Sequence, residues 1–113
     1  MTISNFRGDY RWLSNFHLID VEFEGMVFPS TEHAYQAAKT CYLAERESIQ
    51  RASTPGKARK LGQKVMLRFG WDIIKRGIML DLTRQKFRDP ELREKLLATG
   101  QHHLIENAPW GDR

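Results

Sequence analysis

A mostly α-helical domain with a small β hairpin near its N-terminus is the fold class this sequence predicts, on three observations. Strand-like alternation is confined to one place, where Val21 and Phe23 alternate with Glu22 and Glu24 ahead of Gly25 and "MVF". Helix-start signals recur through the rest of the chain, at Ser30-Thr31, Thr54-Pro55 and Asp89-Pro90. Strands and helices do not alternate, which argues against a doubly wound parallel sheet.

Taken in order, residues 2–28 read as β and loop, a hairpin with one wet face, and Pro29 is expected to end that region because its ring has no N–H for a ladder. A first helix begins at Ser30 or Thr31, whose hydroxyls suit a cap, and is expected to run to about Leu43. A short second helix fits "ERESIQRA" (45–52). A third fits "STPGKARKLGQK" (53–64), with Thr54 as N-cap and Pro55 at the first helical position. The segment "WDIIKRGIMLDLTRQKF" (71–87) is the most periodic: Ile74, Ile78 and Leu82 recur every four residues with Ile73 and Met79 beside them, the pattern of an amphipathic core helix. Asp89-Pro90 starts a last helix over "ELREKLLAT", and Gly100 supplies its stop. Trp12, Phe69, Trp71 and Phe87 are expected in the core. There is no internal repeat or linker, and residues 1–113 read as one domain.

The 113 residues, 41% hydrophobic and 28% charged, can bury one ordinary core. No apolar run approaches the ~20 residues of a membrane span, and "MTISNFRGDYRW" has neither the charged start nor the apolar centre of a signal peptide. The one cysteine, Cys41, has no disulfide partner within the sequence and suits a reducing cytoplasm. Its alanine neighbours (Ala34, Ala37, Ala38) lead us to expect a buried packing thiol. The net charge of +4 is concentrated: residues 57–76 hold seven basic side chains against one acid, Asp72. Such a run fits a phosphate-bearing partner, nucleic acid or nucleotide, but on charge alone solvated helix faces are the better reading.

The sequence has no phosphate loop, Rossmann fingerprint, cysteine pair or HExxH, so neither metal nor cofactor is expected. No nucleophile elbow supports a serine hydrolase. The stretch "FPSTEHAYQAAK" (28–39) is more informative. On a helical wheel Glu32, Gln36 and Lys39 share a narrow arc, with Ala34, Ala37, Ala38, Cys41, Tyr35 and Tyr42 on the other side. Amphipathicity alone makes that arc a wet face. Yet Glu32 sits in the first turn, beside unpaired N–H groups and the positive end of the helix dipole, where an anion is favoured. Lys39 lies ~10 Å along the helix, so the two long side chains could converge on one ligand. Trp110, in the polar "APWGDR" loop, suits ligand stacking and simple packing alike.

Read in order, "WLSNF" (12–16), "FEGMVFPSTEHAYQAAK" (23–39), "ASTPGKARKLG" (52–62), Trp71, "IML" and "KF" (78–80, 86–87), "LLATG" (96–100) and "LIENAPWGDR" (104–113) resemble the YbiA-like or NADAR family. The resemblance implies a mostly helical fold. It also implies hydrolysis of the N-glycosidic bond between a phosphorylated ribose, or ADP-ribose, and a base. Relatives act on ribosylamino-pyrimidine phosphates of riboflavin synthesis, or remove ADP-ribose from modified guanine. Modified nucleic acid is thus one implied partner. By the same resemblance Glu32 is the carboxylate that stabilises charge at C1 or moves the proton. His33 and Gln36 orient it or bind sugar hydroxyls, and Asn15 and Phe16 line the ribose or base pocket. Lys39 is a phosphate contact or a Schiff-base nucleophile, the latter needing a lowered pKa. Trp71 matches a family tryptophan with a binding or purely structural place. Trp110 stacks, Gly111 accompanies it, and Asp112 is a second carboxylate. Family domains continue past "WGD" into a further segment, so this chain is expected to be C-terminally short against them. Two other classes stand beside the enzyme: a module that binds ADP-ribose or a nucleotide without turnover, and a basic nucleic-acid-binding domain.

Overall fold

The computed structural model describes residues 12–98. Among them, strands β1 (Leu18–Phe23) and β2 (Met26–Ser30) are followed by helices α1 (Thr31–Ala38), α2 (Leu43–Gln50), α3 (Pro55–Gly62), α4 (Trp71–Lys86) and α5 (Pro90–Ala98). This is the expected class, a two-stranded antiparallel hairpin and then helices. Gly100 lies outside the described residues.

The hairpin turns on Glu24 and Gly25, with φ of 47° and 85°. Both values are left-handed, as a two-residue turn matched to strand twist requires. Glycine enters that region freely. Glu24 is offset there by its carboxylate, 2.8 Å from Arg46 Nη1 and 3.8 Å from Arg68 Nη1. Pro29 does not end the β region as expected, since β2 continues to Ser30. The register explains why. Val21 pairs with Phe28 and Leu18 with Ser30, so β1 has two residues where β2 has only Pro29. A bulge of this kind leaves the ladder locally unpaired, and there the missing N–H costs nothing.

Ser30 caps α1 by accepting the His33 N–H at 3.0 Å. The helix ends at Ala38, more than a turn short of the expected Leu43. Its last carbonyls are claimed by donors from later elements. Arg68 N–H donates to Lys39 O at 2.7 Å, Arg68 Nη1 to Ala38 O at 3.4 Å, and Arg46 Nε to Thr40 O at 2.8 Å. These bonds replace further helical turns for carbonyls that lack intrahelical partners. Cys41 therefore leaves the alanine face and is exposed, not buried, and Tyr42 is exposed with it.

The later helices start where the caps predict. Thr54 Oγ1 accepts the Lys57 N–H at 3.1 Å, with Pro55 opening α3. Asp89 Oδ2 accepts the Leu92 N–H at 3.1 Å, with Pro90 opening α5. α1 is the centre of the packing, touching both strands and α2, α3 and α4. One core cluster joins Val21, Phe28, Ala34, Ala37, Ile49, Ala58 and Leu82, and a second joins Trp12, Leu13, Phe87, Leu92 and Leu96. Two expected core residues are outside it: Phe69 is fully exposed and Ile73 is 85% exposed. At 100° per residue Ile73 points directly away from Leu82, the buried anchor of α4. Among the described residues no helix is long and apolar enough to cross a membrane.

Candidate active site

The segment ahead of β1 lies across the start of α1. The Asn15 carbonyl accepts the Glu32 N–H at 3.1 Å, meeting one of the helix's unpaired first-turn donors. Residues 13–16 thereby roof the arc that periodicity alone assigned to water. Glu32 is 5% exposed and Gln36 is 4% exposed, so that arc is no wet face. Gln36 Nε2 donates to Glu32 Oε2 at 2.6 Å. The bond fixes the amide's orientation, because only its NH2 side can face a carboxylate. Gln36 Oε1 is then left buried without a hydrogen bond.

Glu32 opens onto a cavity of about 510 Å³. The N-terminal segment supplies Leu13, Ser14, Asn15 and Phe16 to its wall, α3 supplies Arg59, and α4 with its C-cap supplies Met79, Thr83, Lys86 and Phe87. The size suits a small organic ligand, and the lining mixes apolar walls with a few polar groups. Phe16 is partly exposed, with the Arg59 guanidinium 5.7 Å from its ring centroid. Arg59 Nε stands 3.8 Å from Glu32 Oε2, beyond a good hydrogen bond, and its side chain is largely exposed.

Lys86 is the group that sequence reasoning missed. Its side chain is buried, Nζ donates to Ser14 O at 2.6 Å, and the Phe87 ring centroid is 5.2 Å away. Burial pushes its pKa down to about 7. The signal was present: one turn after Leu82, a lysine occupies the buried arc of α4 where an apolar residue is the default.

The other sequence candidates divide. Asn15, Phe16 and Glu32 meet at the cavity, and Gln36 stands behind Glu32. His33 is buried and turned elsewhere. Its Nε2 is 3.0 Å from Ala52 O and its Nδ1 is 2.7 Å from Ser30 Oγ. A carbonyl only accepts, so Nε2 carries a proton and donates it, tying α1 to the loop before α3. Trp71 is buried against Tyr35, ring centroids 5.2 Å apart, and does not line the cavity. Lys39 is half-buried and also outside the cavity wall. Burial lowers its pKa, Glu32 opposes that shift, and Arg59 and Lys75 add to it. Trp110, Gly111 and Asp112 lie outside the described residues. Among the described residues no three His, Cys, Asp or Glu side chains gather to hold a metal ion.

A buried carboxylate, an amine and an aromatic ring share the wall of one cavity, and comparison with known proteins supplies the class. The chain belongs to the NADAR domain family, whose model matches residues 4–113. It is 37% identical over 121 residues to N-glycosidase YbiA of Escherichia coli (strain K12), covering 98% of this chain and 76% of that protein. It is 33% identical to N-glycosidase Npun_R5314 of Nostoc punctiforme (strain ATCC 29133 / PCC 73102), over 90% of this chain and 72% of that one. Riboflavin biosynthesis protein VVA0006 of Vibrio vulnificus (strain YJ016) is 32% identical over 92% of this chain and 30% of its own. Among solved structures, the NMR structure of E. coli YbiA matches with a TM-score of 0.73 and 35% identity, over 86% of this chain. The chain spans 60% of the length of that structure's chain.

Proposed function

We propose that this chain is an N-glycosidase that hydrolyses the bond between C1 of a phosphorylated ribose, or of ADP-ribose, and a nitrogenous base. The observation that carries the reading is Glu32, a carboxylate buried at a cavity wall and oriented by a 2.6 Å bond from Gln36. When the base departs, the C1–N electron pair goes to nitrogen and positive charge builds at C1. A fixed carboxylate stabilises that charge and accepts a proton from the water that adds to C1. The leaving nitrogen needs a proton as well. Lys86, with a pKa of about 7 and a place in the same wall, suits that transfer at neutral pH. Phe16 at the mouth offers a face for the base, and Asn15 a polar group for the sugar. Ribosylamino-pyrimidine phosphates and ADP-ribosylated guanine are the two substrate classes. Both present the same bond, and the reducing cytoplasm is the compartment that suits the exposed Cys41 thiol.

The test is turnover on both substrate classes. Glu32→Gln keeps the shape and the link to Gln36 but removes the charge. Base release should fall by about 10²–10⁴-fold. Wild-type protein that releases no base from either substrate, yet is thermally stabilised by ADP-ribose, would replace the enzyme reading with a binding module.

A further inference from the structure

We propose that Arg59 and Phe16 form a clamp for the departing base, in which a flat heteroaromatic ring is held between the guanidinium and the phenyl face. The assignment rests on the glycosidase reading for the identity of its ligand.

Both side chains line the cavity onto which Glu32 opens. Phe16 lies along one face of α3. A Cβ added at Gly56 would stand 3.9 Å from Phe16 Cε2, and Arg59, one turn on, carries its guanidinium 5.7 Å from the ring centroid. The main chain behind the ring is tied down. The Phe16 N–H donates to Ser14 Oγ at 3.0 Å, and the neighbouring Asn15 carbonyl accepts the Glu32 N–H at 3.1 Å. The guanidinium is held far less. It makes no hydrogen bond among the described residues, stands 3.8 Å from Glu32 Oε2, and belongs to a side chain that is 60% exposed. A base between two flat groups needs about 7–8 Å from one to the other, so the guanidinium must withdraw by about 2 Å. That movement is within reach of a long, largely exposed side chain.

The signs of the charges decide which part of the substrate Arg59 meets. Breaking the C1–N bond leaves positive charge at C1 and an electron pair on nitrogen. A guanidinium against C1 would oppose the first change, whereas one stacked on the base stabilises the second. A substrate phosphate is the competing attraction for a cation. A ribose, however, carries C1 and its 5-phosphate at opposite ends, and Arg59 stands at the Glu32 end. Arginine also suits stacking where lysine does not, because its delocalised plane lies flat on heteroaromatic rings. On this assignment Lys86 gives the leaving nitrogen its proton, and Arg59 steadies the ring without transferring one.

Guanosine monophosphate and ribose 5-phosphate differ in the base. Calorimetric titration with each, on intact wild type, Arg59→Gln, Arg59→Lys, Phe16→Leu and, as a control on the same helix, Lys57→Gln, tests the clamp. Wild type should bind the nucleotide more tightly than the sugar phosphate. Arg59→Gln and Phe16→Leu should each weaken nucleotide binding on the order of 10-fold, the effect of losing one stacked face, and leave ribose 5-phosphate unchanged. Arg59→Lys should restore little, since it keeps the charge and loses the plane. Lys57→Gln should alter neither ligand. In turnover Arg59→Gln should lower kcat as well as raise KM, because charge on the base grows only as the bond breaks. Equal losses for both ligands in Arg59→Gln, recovered in Arg59→Lys, overturn the clamp and place Arg59 on the phosphate. Unchanged nucleotide affinity in Arg59→Gln, or no preference of wild type for the nucleotide, overturns it even where base release persists. Base-dependent affinity lost as expected, without base release by wild type, keeps the clamp and removes the glycosidase reading.

Discussion

Replacing Gly62 by alanine tests how tightly Glu32 is held, because Gly62 is the floor beneath Gln36. A Cβ built on Gly62 would sit 2.8 Å from both Cβ and Cδ of Gln36, with the Gln36 Oε1 closer still. Gln36 is 4% exposed and anchored to Glu32, so it has nowhere to go without giving up its 2.6 Å bond. Either the overpacking remains, costing about 1–3 kcal/mol, or the bond to the carboxylate is lost, costing about 1.5–3 kcal/mol. The gain in helix propensity returns at most about 1 kcal/mol. The net expectation is a loss of about 1–2 kcal/mol, a lowering of Tm by roughly 5–15 °C in a chain of this size. Gly77 is the built-in control: in the middle of α4, its added Cβ would meet nothing within 4 Å, so Gly77→Ala should stabilise by about 0.5–1 kcal/mol. Thermal unfolding of the two variants, with Gly62→Ala repeated in a Gln36→Ala background where its cost should shrink, decides the matter. Gly62→Ala that is as stable as Gly77→Ala would refute the close approach and with it the rigid placement of Glu32.

Two further outcomes follow from burial. Lys86 has a folded pKa of about 7 against 10.5 for an ordinary lysine. From pH 7 up to about 10.5 the unfolded chain holds a proton that the folded one does not. Wild type should therefore gain stability relative to Lys86→Met as pH rises through that window, by up to ~1.4 kcal/mol per pH unit, and show no such trend below pH 7. Denaturant titrations across the range measure it, and a pH-independent difference would contradict it. Ile73→Ser, at an 85% exposed position, should change stability by no more than about 0.5 kcal/mol, whereas Ile78→Ala, packed against the core, should cost about 2 kcal/mol or more in the same experiment.

What the sequence made legible is what its local chemistry decides. Ser30, Thr54 and Asp89 each accept an N–H three residues ahead, so a helix start is written within four letters. Gly25 announces the hairpin for a similarly local reason. Ends decided by distant partners were not legible. α1 stops where residues later in the chain take the carbonyls at and just past its end, Arg68 those of Ala38 and Lys39 and Arg46 that of Thr40. The misplacement of Cys41 and Tyr42 follows from that one error. Ile73 looked like core because the fourth helix was assigned a broad apolar stripe; its buried arc is narrower, and one of its places is given to Lys86, while Phe69, ahead of that helix, was expected in the core only because it is aromatic.

The same distinction accounts for the site. Spacing put Glu32, Gln36 and Lys39 on one arc, but it could not show that the first two are buried, because amphipathicity assumes that a helix has one covered side. α1 has two. Its alanines pack on the core, and its first turn is roofed by a segment that precedes it in sequence by sixteen residues or so and bonds to it through Asn15 O. Covering a carboxylate and an amide in this way is costly unless they are matched, and the match is incomplete, since Gln36 Oε1 has no hydrogen-bond partner. Lys86 adds a second cost across the same cavity, an amine kept from water by the segment that covers Glu32. Folding stability alone would favour apolar residues at these places. Their convergence on one cavity is what the proposed glycosidase reading calls for, a fixed carboxylate and a proton-poised amine serving one bond-breaking step at C1.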